Sequence, residues 1–286
     1  MIKFLFTLVL PLMILCCGSV LTTSCAQESK LLEPGNQLSL SNDKFEIMVI
    51  PETFTMKIRK EDKFVRYLSF NEEKIAVKNI RAEDQTVYWQ IPDQSISVSL
   101  KIYDEYLDVN IASSESGVFN WPKIDRSEHE AFTIPLHQGK YIPANDTQWM
   151  SHMINNGNFS GSQDLSMQFF GINQGRYALV YIIKNMFTNQ LEFSDNKGTL
   201  SMKFKHQFPN TVSNKKYGFR IYLTDNSPTA IAKTYKEYIM ETGKFVSLEE
   251  KAADHDNIRK LYGAPHIYVW ASEFIIPNNV KNWKEF

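Results

Sequence analysis

The sequence predicts a mainly β protein: a large antiparallel sandwich, followed by two helices and one buried strand. Three observations point there. From about Leu38 to Thr224, apolar and polar residues alternate with a period of two, the signature of strands with one face in a core. Aromatic residues are abundant, with 19 Phe, 13 Tyr and 5 Trp, which suits a β core and would also suit sugar stacking. At Ser227 the period changes to that of a helix. With 286 residues and 43% hydrophobic content, the chain can bury a sizeable core in one large domain or two smaller ones.

Residues 1–25 read as a secretory signal. Lys3 precedes an apolar run from Phe4 to Leu21, and small polar residues follow. An uncleaved membrane anchor is the competing reading, opposed by Pro11 and Gly18 within the run and by its marginal length. Cys16 and Cys17 fall in the segment that would be removed, so Cys25 is left without an internal disulfide partner. Thr22-Thr-Ser-Cys25-Ala-Gln resembles a bacterial lipoprotein lipobox, in which the cysteine is acylated and becomes the new N-terminus. Thr22 stands where that pattern prefers Leu, and Leu21 lies one place early. The alternative is a cleaved protein with an idle thiol. Residues 26–37 then form a flexible tether with Pro34-Gly35 near its end.

The β-sandwich is expected over 38–225. Phe45, Ile47 and Val49 alternate, Pro51-Glu-Thr interrupts, and Phe54, Met56 and Ile58 resume, predicting a hairpin. Ile96 to Ile102 and Leu107 to Ile111 alternate likewise, as does Tyr177 to Ile183. Leu191 and Phe193 are joined to Leu200, Met202 and Phe204 through Asp195-Asn-Lys-Gly198, a hairpin with glycine in its turn. Tyr217, Phe219, Ile221 and Leu223 close the series, with one wet face per strand and no helix between strands. From 113 to 165 the alternation weakens and long connections carrying Trp121 and Trp149 are expected, functional rather than disordered.

Linker helices are expected over 226–263. Ser227-Pro228 supplies a capping hydroxyl and a proline at the first helical position. Ile231, Tyr235, Tyr238 and Ile239 form the apolar stripe, which ends at Gly243. Ser247-Leu-Glu-Glu250 is a capping box opening the second helix. Ile267-Tyr-Val-Trp270 is apolar on both faces, so it reads as a doubly buried strand, and 264–286 as the start of a truncated (β/α)8 barrel.

Ile134–Trp149 (IPLHQGKYIPANDTQW) and Ala232–Trp270 together resemble glycoside hydrolases related to the endo-α-N-acetylgalactosaminidase and α-N-acetylgalactosaminidase families. The resemblance covers roughly Leu38 onward and is strong only in those two stretches. It implies a galactose mutarotase-like supersandwich packed on a catalytic barrel, with Ala232–Trp270 as linker helices and first barrel strand. A retaining glycosidase needs two carboxyl groups about 5 Å apart, commonly several barrel strands along. The family's catalytic pair would therefore lie beyond Phe286, and no residue here matches it. The implied protein is the non-catalytic N-terminal part of a secreted or lipid-anchored hydrolase of α-linked N-acetylhexosamine-type glycans, inactive alone, at a bacterial surface or in the periplasm. A free-standing carbohydrate-binding lipoprotein and a structural envelope protein without a sugar site are the rivals.

Tyr141, Asp146 and Trp149 are the first candidate sugar contacts: aromatic faces to stack on a ring, a carboxylate for its hydroxyls. The resemblance implies that their loop reaches the barrel mouth. The plain alternative is that Trp149 plugs the sandwich and Asp146 caps a turn. Trp270 would stand beside Glu273 at the barrel's upper face, as a sugar platform or as core. Ser127-Glu-His-Glu130 does not read as a metal site, because neighbours on a strand point to opposite faces. His137, His152 and His206 show no ligand spacing, and no cofactor is implied. Thirty-one basic against 32 acidic residues, without like-charge runs, give no electrostatic case for nucleic acid. The expected partners are a glycan, a membrane through the N-terminal anchor, and the catalytic barrel.

Overall fold

The computed structural model describes residues 30–31, 35, 37–60, 64–125, 128–213, 215–243 and 245–264. The secretory segment with Cys25, and Trp270 with the expected barrel strand, lie outside the described residues. In chain order the strands begin with β1 (Lys30–Leu31), β2 (Leu38–Ser41), β3 (Glu46–Ile50), β4 (Thr55–Lys60), β5 (Phe64–Ser69) and β6 (Lys78–Glu83). Next come β7 (Thr86–Ile91), β8 (Ile96–Ile102), β9 (Tyr106–Ser113), β10 (Gly117–Ile124), β11 (Ala131–Ile134) and β12 (Lys140–Pro143). Helix α1 (Thr147–Asn155) precedes β13 (Asn158–Ser160), β14 (Phe169–Gln174), β15 (Tyr177–Ile183), β16 (Asn189–Asn196), β17 (Thr199–Phe208) and β18 (Lys215–Asp225). Helices α2 (Pro228–Glu241) and α3 (Leu248–Asp254) follow, then a 3-10 turn over Asp256–Leu261.

One layer is a ten-stranded sheet in the order β1-β6-β7-β8-β9-β18-β15-β14-β11-β12. Facing it are two four-stranded sheets, β2-β3-β4-β5 and β10-β17-β16-β13. Their edges meet where Phe70 N donates to Lys123 O at 3.0 Å and Lys123 N donates to Ser69 Oγ at 3.0 Å. Every named pairing is antiparallel. A single buried cluster, with Ile47, Leu100, Phe170, Tyr181, Phe204 and Phe219 among its members, fills the space between the layers. The fold is the antiparallel sandwich that the alternation predicts.

Two details depart from expectation. A helix does stand between strands: Asp146 accepts hydrogen bonds from Gln148 N and Trp149 N, so the polar stretch after β12 winds into α1. Further, β14 and β15 have no wet face, since every residue of both is buried. Leu179, Tyr181 and Ile183 face the interlayer core. Ala178, Val180 and Ile182 face outward, where Ile231 of α2 covers them with Phe169. Period-two alternation is lost in β15 because both of its faces are apolar.

Helix α2 starts where Ser227 Oγ accepts from Ala230 N at 3.1 Å, and Pro228 occupies its first turn. Gly171 lets it approach, because a Cβ at that position would lie 2.8 Å from Ile231 Cδ1. Arg220 ties the helix's far end to the sheet. Its Nη1 donates to both Glu241 oxygens, at 3.0 and 2.8 Å, and its guanidinium lies over the rings of Tyr106 (4.5 Å) and Tyr238 (5.1 Å). Helix α3 carries the reciprocal capping box of Ser247 and Glu250.

Candidate functional site

Strand β12 is the edge of the large sheet, and α1 leaves from its end. Within β12, Ile142 points inward and is fully buried, which puts Lys140 on the same side. Across the helix start, Asp146 Oδ1 accepts from Gln148 N at 2.9 Å and from Trp149 N at 3.0 Å. The carboxylate is thus fixed at the positive end of the helix, a favourable place for its charge. Trp149 is half-buried against the interlayer core, and its indole meets the His152 ring edge-on at 5.7 Å. Met153, one helical turn after Trp149, is buried and anchors the helix.

Lys140, Asp146, Gln148, Trp149 and His152 together line an open depression of about 440 Å³. An indole beside an ammonium, a carboxylate, a carboxamide and an imidazole can present a stacking surface with donors and acceptors around it. Asp146 is the sole carboxyl among these lining residues, so the depression lacks the paired carboxyls of glycoside hydrolysis.

The structure brings Asp146 and Trp149 together and leaves Tyr141 out. Tyr141 pairs with Thr133, sits on the opposite face of β12 from Lys140, and is 47% exposed. The strand alternation responsible was readable from the sequence, since residues 140 and 141 must face opposite sides. Sequence reasoning missed Lys140, Gln148 and His152. The Trp149–His152 spacing of one helical turn was the available signal, hidden because that stretch read as a loop. Elsewhere, His129 is buried, with Nε2 2.7 Å from Leu200 O, while Glu130 lies near Asn226. Those two neighbours do point apart.

No family model matches the sequence, and no curated protein matches it. Solved structures do. The fold defines the chain as an antiparallel β-sandwich bearing a helix on the outer face of its larger sheet. The α-N-acetylgalactosaminidase NagBb from Bifidobacterium bifidum, in its ligand-free form, aligns with a TM-score of 0.63 at 15% identity. That alignment covers 85% of this chain and 46% of NagBb. The GalNAc complex of the same enzyme gives 0.59 at 16% identity, covering 86% and 46%. A galactose mutarotase-like protein from Lactobacillus casei aligns more weakly, at 0.41 and 9% identity over 66% of this chain. The chain therefore shares its fold with part of a glycoside hydrolase and spans about half that enzyme's length.

Proposed function

We propose that this chain is the non-catalytic sandwich portion of a glycoside hydrolase that acts on α-linked N-acetylhexosamine-type glycans. The observation that carries the reading is the fold match to NagBb over 85% of this chain but only 46% of that enzyme. A second feature supports it. Beyond the sandwich, Met240, Phe245, Val246, Leu248, Leu261 and Tyr262 are each between 44% and 53% exposed. Large apolar side chains left exposed along the helical segment that follows the sandwich suit burial against a further domain. The sandwich's role is then to support a catalytic barrel, with Asp146 and Trp149 available for glycan contact beside it. Export and lipid anchoring at Cys25 belong to the same reading and rest on the N-terminal sequence pattern.

The test has two arms. Reading the gene past codon 286 should reveal barrel strands carrying two carboxylates. Assay of an aryl α-N-acetylgalactosaminide should show no turnover by this chain alone and turnover once the downstream polypeptide is joined to it. Hydrolysis by the 286-residue chain by itself, or a continuation without such strands, would overturn the proposal.

A further inference from the structure

The sequence holds one Asn-Gly pair, Asn156-Gly157, and the fold sets it at the end of α1, where Asn156 caps the helix and is exposed. Asn156 Nδ2 lies 2.7 Å from His152 O. A carbonyl oxygen only accepts, so the nitrogen of the amide is the atom that faces it. The same nitrogen lies 3.2 Å from His152 Nδ1. An amide NH2 has two hydrogens and no acceptor, so Nδ1 accepts the second of them, and the proton of the neutral imidazole is left on Nε2. Asn156 thereby sets which ring nitrogen donates in His152, a residue that lines the depression beside α1.

Asparagine followed by glycine is prone to lose its amide. The backbone nitrogen of the next residue attacks the side-chain carbonyl carbon, and glycine has no side chain to obstruct it. The surroundings are open too, with nothing within 4 Å of the place a Cβ on Gly157 would take. Two hydrogen bonds hold the pair back: Gly157 N donates to Ile154 O at 3.2 Å, and Asn156 Nδ2 donates to His152 O. Both belong to the last turn of a helix, where local opening costs little, so they slow the attack without stopping it.

We infer that Asn156 deamidates spontaneously in the folded chain, and that the change reverses the hydrogen bonding of His152. Gly157 N bonds to Asn156 Cγ, the Cγ–Nδ2 bond breaks, and Nδ2 leaves as ammonia with the proton given up by Gly157 N. Water then opens the cyclic imide to aspartate or isoaspartate. A carboxylate only accepts, so His152 Nδ1 must now carry the proton, and Nε2 of the neutral ring turns from donor to acceptor. The new charge also meets His152 O, acceptor against acceptor, at the negative end of α1, so the last turn loosens. None of this depends on the hydrolase reading or on what the depression binds.

The experiment holds the full chain in mildly alkaline buffer, with and without urea, until half of the urea sample has converted at Asn156. Peptide mass mapping reads every asparagine. The folded sample should carry aspartate and isoaspartate at position 156, severalfold less than the urea sample but ahead of every other asparagine. No conversion there in the folded sample, failure of the urea sample to convert, or faster conversion elsewhere would overturn the site. The ring-nitrogen resonances of His152 test the consequence. They should report a proton on Nε2 in the fresh chain and on Nδ1 in both Asn156→Asp and the aged chain. An unchanged tautomer in the aged chain would refute the coupling, and that sample decides the matter even if the variant does not fold.

Discussion

His206 should make the sandwich sensitive to mild acid. It sits on β17, only 1% exposed, with its ring stacked on Tyr217 at 4.4 Å and edge-on to Phe208 at 4.7 Å. Its Nδ1 lies 2.6 Å from Asn189 Oδ1. Asn189 Nδ2 donates to Asn185 O, which leaves Oδ1 as the acceptor and assigns the proton to Nδ1 of a neutral ring. Burial among aromatic rings lowers the imidazole pKa from 6.5 to about 4. Between those values the unfolded chain binds the proton and the folded chain does not. Stability is therefore full above pH 6.5 and falls as pH drops toward 4. At about 1.4 kcal/mol per pKa unit, the whole span amounts to about 3 kcal/mol, of which about 2 kcal/mol is lost between pH 7.5 and pH 5. Urea unfolding at those two pH values, followed by both fluorescence and circular dichroism to check for two-state behaviour, measures the difference. His206→Gln should be less stable at pH 7.5 yet lack this part of the pH dependence. Glu46 and Glu192, whose pKa values lie below the ordinary carboxylate range, contribute only at lower pH and in both proteins. If the variant and the parent lose equal stability between pH 7.5 and 5, the neutral-histidine argument is wrong.

Two other perturbations test the packing. Gly218→Ala puts a Cβ 2.1 Å from Val109 O on the neighbouring strand, where only backbone could yield. It should cost roughly 3 kcal/mol or more, the upper end of overpacking penalties, or abolish soluble expression. A thermal midpoint within a degree or so of the parent would show that β9 and β18 separate more easily than the register implies. Ile231→Ala removes the fully buried side chain that holds α2 over Ala178, Val180 and Ile182. A loss of about 2–5 kcal/mol is expected, with faster proteolysis between β18 and α2 before the sandwich itself opens.

Legibility in the sequence followed from how many faces of each element are buried. Where one face meets the core, as in β8 with its strict alternation of buried and less buried residues, the pattern could be read directly. Turn chemistry was equally direct. Asp195 Oδ1 accepts from Gly198 N at 2.7 Å, and Gly198 takes a positive φ of 84°, so the Asp-Asn-Lys-Gly stretch marks the β16–β17 hairpin by mechanism. Capping was readable for the same reason, since Ser227 and Ser247 act locally on the residues that follow them. The outer cover of β15 was not readable, because whether an apolar face meets a helix or another sheet depends on residues some fifty positions away.

The candidate sites show the same division more sharply. Asp146 was noticed as a hydrogen-bonding group, and the structure spends one of its oxygens on capping α1 while the residue still borders the depression. Structural and binding roles are not exclusive here: the cap fixes the carboxylate's position, and that fixed position is what a ligand would meet.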